Sequence, residues 1–470
     1  MKKRIFSLLM SLVMVISLVE VIPTTNQLLS DKTIVAKGYN MWDNIQTYGD
    51  YKYAILPNKT IQIIKYNGSK TELNIPSTIK GKKVTIIGQA AFSYNPKLKK
   101  VKIPNSITKI EPYAFIGTDL LEKQNTSVKY INDWAIHCDN VASATVKSGT
   151  KKIADGCFML CKNLKKVSLP QTITSIGGSA FEWCKKLTEI NIPKKVTTIE
   201  PCTFAYCTSL KKVYLNNVKK IGWVAFFDCN NIKSLTIPKS VKSIDKHALG
   251  FYTNSSGNEV KNKNFKIKCY KSTAGEKYAK SNGIKYELIL DKVSNLNATS
   301  ISTNSIKLKW SKVSGAKGYV VYQKKSGKWS RIKVTASNSY TVSKLKSGTT
   351  YQFCVKPYTK SGTKTIYGNA SKTLTTSTNP ATVSFKLTAG TKKVSVKWSK
   401  VTGASGYKVY YKTSKNGSWK TLKTCNNKTT SYTKTKLTKG KTYYFTVKAY
   451  RKLNGKTYNG SYTTKSIKSK

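Results

Sequence analysis

Few side chains in this 470-residue sequence could carry out acid–base or metal chemistry. The two histidines, His137 and His247, belong to no known metal-binding or nucleophile motif. A cysteine follows His137, but adjacent side chains point in different directions along a strand. No glycine-rich phosphate loop, C-x-x-C pair or H-E-x-x-H motif occurs. The sequence therefore predicts no catalytic residue, no metal, no cofactor and no enzyme activity.

Three glutamates come closest to a carboxylate cluster: Glu182, Glu189 and Glu200. Hydrolysis of a glycosidic bond needs two carboxylates flanking that bond. These glutamates fall at different positions of a 23-residue repeat, so we do not expect them to converge. A hydrolase is the weakest of three functional alternatives.

Four of the ten cysteines recur at intervals of 22 or 23 residues: Cys161, Cys184, Cys207 and Cys229. This spacing places them at one position of the repeat, as an internal ladder in which thiols pack like small apolar residues. Adjacent rungs about 4.8 Å apart would also permit a disulfide. We predict free core thiols, with oxidation as the alternative.

A repeat of about 23 residues dominates the first half of the chain. A typical unit has an Ala-Phe pair or a variant, a leucine six residues later, and an Ile/Leu-Pro pair, and one unit departs in having Asn216 after Leu215. The anchor residues are Phe92, Phe115, Ile136, Phe158, Phe181, Phe204, Phe226 and Leu249. Because one short unit cannot bury its own apolar side, neighbouring units must stack into a solenoid. The spacing within a unit predicts short strands joined by tight turns, and the stretch from Leu121 to Ile153 is the least regular.

These residues resemble the bacterial surface leucine-rich repeats called BspA-like, whose consensus runs Cys-x-x-Leu-x-x-Ile-x-Leu/Ile-Pro-x-x-Val-x-x-Ile-x-x-x-Ala-Phe. The match covers about residues 84–251. The resemblance implies a secreted or cell-surface protein used for adhesion or protein recognition, and it implies no particular ligand. We expect this domain, with its lead-in, over residues 37–252.

A cap and linker are predicted over residues 253–290. Phe265 to Tyr270 read as a strand, and Ser272 to Asn282 as a short helix with Ser272 as N-cap and Gly283 as C′ residue. A terminal unit of this kind would cover the last exposed edge of the solenoid.

From about Val293 the chain contains two copies of one strand-rich pattern. Trp310, Gly318-Tyr319, Trp329 and Leu345 to Tyr351 correspond to Trp398, Gly406-Tyr407, Trp419 and Leu437 to Tyr443. The pattern resembles the fibronectin type III sandwich, with Tyr351 and Tyr443 in the tyrosine-corner position. We expect domains over residues 291–378 and 379–470, with a linker at Thr376–Pro380. The predicted fold class is mainly β: a leucine-rich repeat solenoid followed by two fibronectin type III-like β-sandwiches.

The N-terminus has the layout of a signal peptide, with Lys2, Lys3 and Arg4 before an apolar run from Ile5 to Val19. We expect it within residues 1–36, with no fixed cleavage site. The run is shorter than the roughly 20 apolar residues of a membrane span, and no later segment is apolar enough to cross. The predicted location is extracellular, with association with the cell wall as an option.

The formal net charge is +63, from 83 basic and 20 acidic residues. Residues 291–470 contain 38 lysines and arginines and a single acid, Asp291, which gives +37. The excess fits a compositional bias, attraction to the anionic polymers of a bacterial wall, or nucleic acid binding. The signal-like N-terminus and the lack of a reading helix disfavour nucleic acid.

Alternation along the first strand of each unit predicts which side chains face outward. They are Lys100, Lys102, Lys166, Ser168, Glu189, Asn191, Lys212 and Tyr214, continued by Ser234 and Thr236. This stripe is either a solvated face or a binding site for a protein or glycan on a host or neighbouring cell, with Tyr214 as a candidate anchor. The leading hypothesis is a non-catalytic adhesion or recognition protein with basic sandwiches as spacer and wall-retention element. The alternative is an accessory carbohydrate-binding protein.

Overall fold

Short strands are the main regular elements of the computed structural model, which describes residues 44–470 except for the side chain of Ser361. The predicted signal peptide lies outside the described residues. The mainly β fold class is confirmed. The chain divides into two units, residues 44–232 with Asp245–Asn262, and Lys233–Ile244 with Lys263–Lys470. Among the described residues, no helix is long and apolar enough to cross a membrane.

The first unit opens with a lead-in sheet. Its strands are β1 (Ile45–Tyr48), β2 (Tyr51–Ile55), β3 (Ile61–Tyr66), β5 (Thr78–Ile79) and β6 (Lys82–Ile87), whereas β4 (Glu72–Asn74), which follows β3 in the chain, belongs to a separate two-stranded sheet. Strands β1, β2 and β3 are antiparallel, and β3 pairs in parallel with β6. The switch from antiparallel to parallel pairing marks the start of the stacked repeats.

Two kinds of short parallel strand build the repeats. The three-residue strands are β7 (Lys100–Lys102), β11 (Ser143–Thr145), β13 (Lys166–Ser168), β15 (Glu189–Asn191) and β17 (Lys212–Tyr214). The two-residue strands are β8 (Lys109–Ile110), β12 (Lys152–Ile153), β14 (Ser175–Ile176), β16 (Thr198–Ile199) and β18 (Lys220–Ile221). The irregular stretch contains α1 (Asp119–Glu122), β9 (Val128–Ile131) and β10 (Trp134–Cys138), and the unit ends with β21 (Phe251–Thr253) and β22 (Glu259–Lys261).

The repeat anchors form the core of the solenoid, and all eight are at most 7% exposed. Consecutive phenylalanine rings stack, with centroids 4.7 Å apart between Phe158 and Phe181 and 5.3 Å apart between Phe181 and Phe204. The stack is interrupted at Ile136, where the unit is irregular.

The second unit contains residues 263–290 of the predicted cap, preceded by two short strands that fall inside the predicted repeat domain. Its elements are β19 (Ser234–Thr236), β20 (Ser243–Ile244), β23 (Lys266–Cys269), α2 (Ala274–Ser281) and β24 (Lys285–Leu288). The predicted N-cap is wrong by one residue: Thr273 precedes α2 with an extended backbone, and Ser272 has a φ of 60°. Gly283 has a φ of 60°, which suits the expected C′ position.

Each sandwich packs a three-stranded sheet on a five-stranded sheet. The first contains β25 (Asn297–Ile301), β26 (Ile306–Lys309), β27 (Gly318–Lys325), β28 (Lys328–Thr335), β29 (Ser339–Val342), β30 (Thr350–Ser361), β31 (Lys364–Tyr367) and β32 (Leu374–Ser377). The second contains β33 (Phe385–Gly390), β34 (Lys393–Trp398), β35 (Gly406–Lys412), β36 (Lys420–Asn426), β37 (Ser431–Lys434), β38 (Thr442–Leu453), β39 (Lys456–Asn459) and β40 (Lys465–Lys468). The linker predicted at Thr376–Pro380 starts too early, because β32 still pairs with β30 through Ser377.

The tyrosine corners occur in both sandwiches. The hydroxyl of Tyr351 accepts a hydrogen bond from the backbone N–H of Lys346 at 2.8 Å, and that of Tyr443 accepts one from Thr438 at 3.0 Å. Trp310 and Trp398 are buried at 2% and 4% exposure in the cores of the two sandwiches.

Candidate functional site

Four consecutive strands bring most of the predicted stripe together. The strands are β11, β13, β15 and β17. The backbone N–H of the residue that precedes each of the last three donates to the carbonyl of the corresponding residue one repeat earlier: Lys165 to Ala142, Thr188 to Lys165 and Lys211 to Thr188. The outward side chains form two columns, the first of Ser143, Lys166, Glu189 and Lys212, and the second of Thr145, Ser168, Asn191 and Tyr214. All eight residues are exposed, and Tyr214 is 47% exposed. We call these two columns the strand face.

Charged and polar contacts link neighbouring rungs of the strand face. The Lys212 ammonium lies 3.9 Å from the Glu189 carboxylate, and the Asn216 amide donates to the side-chain oxygen of Asn191 at 2.9 Å. Exposed pairs of this kind add little stability. Their main effect is to fix the pattern of charges that a partner would meet.

Lys100 and Lys102 lie apart from these four strands. Their strand, β7, pairs with β4, and Lys100 forms an ion pair with Glu72 at 3.2 Å. The irregular stretch from α1 to β10 separates them from β11 along the chain. The stripe that the sequence predicted as continuous is therefore divided in two. Ser234 and Thr236 belong to the second unit.

An open cavity of 430 Å³ lies at this irregular stretch. Most of the residues around it carry an amide or hydroxyl group, although apolar atoms provide most of its surface, and one is aromatic: Gln124, Asn125, Thr126, Ser127, Val128, Tyr130, Ser143, Ala144, Thr145 and Lys147. Ser143 and Thr145 are also the first rung of the strand face. The cavity and the strand face therefore form one continuous surface.

Gln124 and Tyr130 hold the cavity wall in place. The Gln124 amide donates to the backbone oxygens of Leu120 and Tyr130 at 3.0 and 2.8 Å, and its oxygen accepts from the Tyr130 N–H at 2.8 Å. The Lys147 ammonium lies 4.3 Å from the centre of the Tyr130 ring. Burial raises the pKa of the Tyr130 hydroxyl, so this group stays protonated at neutral pH.

Sequence reasoning missed this cavity. The available signal was the loss of the repeat pattern between Leu121 and Ile153, because a unit that departs from the repeat cannot continue the regular strand face. Which side chains would line the cavity could not be read from spacing.

A second feature that the sequence did not indicate is a pair of coplanar aromatic rings. Trp183 and Tyr206, each two residues after an anchor, stack with centroids 4.0 Å apart and an angle of 7°. A glycan platform needs an open ring face, whereas these two rings cover each other. The pair therefore gives little support to glycan binding at that place.

Residues 44–470 contain no group of three or more histidine, cysteine, aspartate or glutamate side chains placed to hold a metal ion. His137 is partly buried, and burial lowers its pKa. His247 instead contacts the Glu259 carboxylate at 2.6 Å. Glu189 is exposed and Glu182 is largely buried, so they do not resemble a shared catalytic pair.

The fold and the strand face define a repeat protein with appended sandwich domains. Comparison with known families agrees: the chain carries a BspA type leucine rich repeat region in six copies over residues 50–137 and 130–256, followed by fibronectin type III domains at residues 291–373 and 378–464. The family resemblance that the sequence indicated is confirmed. Domains of these two kinds are typically non-catalytic binding domains and indicate a protein of the interaction or surface type.

Individual relatives match only parts of the chain. The mouse receptor-type tyrosine-protein phosphatase eta is 32% identical over 120 residues, which is 25% of this chain and 9% of that protein. A two-domain fibronectin type III segment of chicken tenascin is 17% identical, with a TM-score of 0.27, and covers 38% of this chain and all of its own. A leucine-rich repeat protein of Bacteroides ovatus is 18% identical, with a TM-score of 0.28, over 52% of this chain and 67% of its own. These structural likenesses are too distant to carry an argument.

Proposed function

We propose that this is a secreted, non-catalytic surface protein whose repeat domain recognises a protein partner on a host or neighbouring cell. The observation that carries the proposal is the strand face, an exposed pair of side-chain columns on hydrogen-bonded strands that continues into the 430 Å³ cavity. A surface held by a backbone ladder loses little conformational freedom on binding, which favours affinity.

The chemistry of the surface favours protein over glycan. The first column alternates basic and acidic side chains, and the second combines hydroxyl and amide groups with Tyr214. Mixed charge with a tyrosine anchor is typical of protein interfaces. The cavity is large enough to receive one or two side chains of a partner.

The basic sandwiches serve as a spacer and as the element that retains the protein on anionic wall polymers. Their formal charge of +37 over residues 291–470 supports this role, because a dense row of lysines attracts polyanions without sequence or shape recognition.

Photo-crosslinking tests the recognition proposal. A photoreactive residue replaces Tyr214 in one variant and Tyr94, an equally exposed tyrosine outside the strand face, in the other. Each full-length variant is incubated with surface proteins released from epithelial cells. We expect a crosslinked protein only from position 214, competed by the unlabelled wild-type chain and poorly competed by Tyr214→Ala. Equal crosslinking from both positions would contradict the proposal.

A further inference from the structure

The outer face of the five-stranded sheet in the second sandwich carries an unusual set of side chains. Along β35 and β38 the inward residues are buried, among them Val409, Phe445 and Val447. The opposite side of the sheet holds the cross-strand pairs Lys412–Tyr444, Tyr410–Thr446 and Lys408–Lys448. Residues directly opposite in an antiparallel pair share a face. This outer side is therefore built from alternating lysines and tyrosines.

Ring and ammonium contacts join these side chains into one layer, which we call the lysine–aromatic face: Tyr410, Lys412, Trp419, Tyr444, Lys448 and Tyr462. The Lys412 ammonium lies 4.8 Å from the Trp419 ring and 5.8 Å from the Tyr444 ring. The Lys448 ammonium lies 3.9 Å from the Tyr462 ring and 5.3 Å from the Tyr410 ring. The rings of Trp419 and Tyr462 meet edge to face at 6.1 Å.

The charge on this face has no internal counterpart. Residues 379–470 contain 22 lysines and arginines and no aspartate or glutamate. An aromatic ring attracts an ammonium group but does not cancel its charge. The counterions of Lys412 and Lys448 must therefore come from outside the domain.

The first sandwich provides an internal comparison. In the first sandwich, Tyr322, Lys324, Trp329 and Lys356 occupy the positions of Tyr410, Lys412, Trp419 and Lys448. The Lys356 ammonium lies 5.6 Å from the centre of the Tyr322 ring. Two of the aromatic residues are absent, since Gln352 and Ala370 occupy the positions of Tyr444 and Tyr462. The second sandwich therefore has an aromatic surface that the first lacks.

A buried hydroxyl lies in the middle of the same face. Thr446 shares this side of the sheet with Tyr410, it is fully buried, and its hydroxyl has no hydrogen-bond partner within residues 44–470. Buried polar groups in native structures normally have a partner. An unsatisfied hydroxyl beneath this layer of lysines and tyrosines is consistent with a ligand that displaces part of the layer.

We propose that the lysine–aromatic face binds an acidic polysaccharide. Lys412 and Lys448 pair with its carboxylate, sulfate or phosphate groups, and its sugar rings pack against the corner formed by Trp419 and Tyr462. Unlike two rings that cover each other, an edge-to-face pair leaves a ring face open for the C–H surface of a sugar, and Tyr462 is 43% exposed. This inference rests on the proposed retention by polyanions and gives that retention a defined site.

The test compares matched variants of the full-length chain. The probes are heparin, which has charged groups on sugar rings, and inorganic polyphosphate, which has charge alone. Lys412→Gln with Lys448→Gln removes two charges from the face, and the control Lys324→Gln with Lys356→Gln removes two at the corresponding positions of the first sandwich. Tyr462→Ala is paired with Tyr367→Ala, an exposed tyrosine of the first sandwich. Unfolding curves establish that every variant folds.

We expect the Lys412/Lys448 variant to lower the slope of log affinity against log salt by about 2 for heparin, one unit for each ionic contact. Tyr462→Ala should weaken heparin binding at least about fivefold and leave polyphosphate binding unchanged. The two control variants should have a much smaller effect on heparin.

Three outcomes would overturn the inference. In the first, the lysine variants of the two sandwiches lose the same affinity for heparin. In the second, Tyr462→Ala weakens heparin binding no more than Tyr367→Ala does. In the third, single-stranded DNA displaces heparin, and its affinity depends on Tyr462 more strongly than that of heparin. In the first two cases charge alone would retain the protein, and the proposed function would stand. If the wild-type chain ignored both probes at low salt, the proposed retention would also be wrong.

Discussion

At the scale of single residues, each central anchor phenylalanine is enclosed by its neighbours along the stack. Phe204 is fully buried, and its ring centre lies 5.3 Å from that of Phe181 and 5.2 Å from that of Phe226. Phe204→Ala should therefore open a cavity with stacked rings on both sides. We expect a loss of about 3–5 kcal/mol in the free energy of unfolding, measured on the repeat-domain transition in a denaturant titration.

The exposed Tyr94→Ala is the control for this substitution and should cost less than about 0.5 kcal/mol. A loss below about 1 kcal/mol for Phe204→Ala would mean that the anchor contributes far less than core aromatic residues usually do.

Glu182 makes a pH-dependent contribution to stability. Burial raises the pKa of its carboxyl group, and a hydrogen bond with Ser179 offsets this only in part. Because the folded pKa lies above the unfolded one, the stabilising effect of the protonated form is complete below the unfolded pKa and is lost as the pH rises through the folded value. We expect Glu182→Gln to raise the unfolding midpoint near neutral pH and to have no effect at about pH 3.5.

The exposed Glu200→Gln is the matched control, and its midpoint should follow the wild type at both pH values. If the two variants gave the same shift at both pH values, burial of Glu182 would not be the cause.

At the scale of elements, the cysteine ladder shows how the repeat accommodates its buried thiol groups. Three rungs donate to the backbone oxygen of the anchor one repeat earlier, each at 3.1 Å: Cys184 to Phe158, Cys207 to Phe181 and Cys229 to Phe204. Burial raises the pKa of all three thiols. Cys161 differs, because the unit before it is irregular. Its thiol donates to the backbone oxygen of Cys138 at 3.4 Å.

These contacts predict the redox state of the ladder. A thiol held by a carbonyl and kept protonated by burial is a poor nucleophile, so the regular rungs should resist oxidation. Denatured, unreduced protein treated with an alkylating reagent should carry the label on Cys184, Cys207 and Cys229 by peptide mass spectrometry. A fully reduced sample gives the reference yield. A disulfide joining any two of these three residues would refute the prediction.

The repeat spacing predicted the anchors and the short strands because both depend on burial at a fixed period. The spacing did not predict the backbone conformation of the residues that flank the anchors. Ser179 and Trp183 flank Phe181 with φ values of 53° and 63°, a region that such residues seldom adopt. Inter-repeat hydrogen bonds, such as Trp183 N–H to the Ala205 oxygen at 2.9 Å, hold this conformation. Contacts of that kind exist only once neighbouring repeats have stacked.

The candidate site was predictable to a similar extent. Alternation identified the six exposed residues of the strand face on β13, β15 and β17, since they depend only on strand direction. It did not identify Ser143 and Thr145 on β11, which lie in the irregular stretch. The cavity depends on how Gln124 bridges α1 and β9 through side-chain hydrogen bonds, and no period encodes such a contact. The irregular stretch that contains this contact also divides the predicted stripe in two.

At the scale of the whole molecule, the two sandwiches are connected by more than their linker. One guanidinium nitrogen of Arg451 donates to the Gly403 oxygen within the second sandwich at 2.7 Å, and the other donates to the Thr350 hydroxyl of the first at 2.6 Å. The hydroxyls of Thr376 and Tyr458 are also within hydrogen-bond distance, at 3.2 Å. These contacts limit rotation between the two domains. Two basic domains held in this way stay close enough for one polymer to contact both.

The charge of the two sandwiches predicts salt-sensitive binding to the anionic polymers of a bacterial wall. Binding of lysines to a polyanion releases counterions, so affinity should fall steeply with salt. We expect the full-length chain to pellet with wall sacculi that carry teichoic acid and to lose about tenfold or more in affinity between about 50 and 200 mM salt. Sacculi stripped of teichoic acid are the matched control. Tyr214→Ala should leave this retention unchanged, because Tyr214 lies on the repeat domain. Equal retention on stripped sacculi, or retention that ignores salt, would indicate that the lysine excess reflects composition and that another surface holds the protein in place.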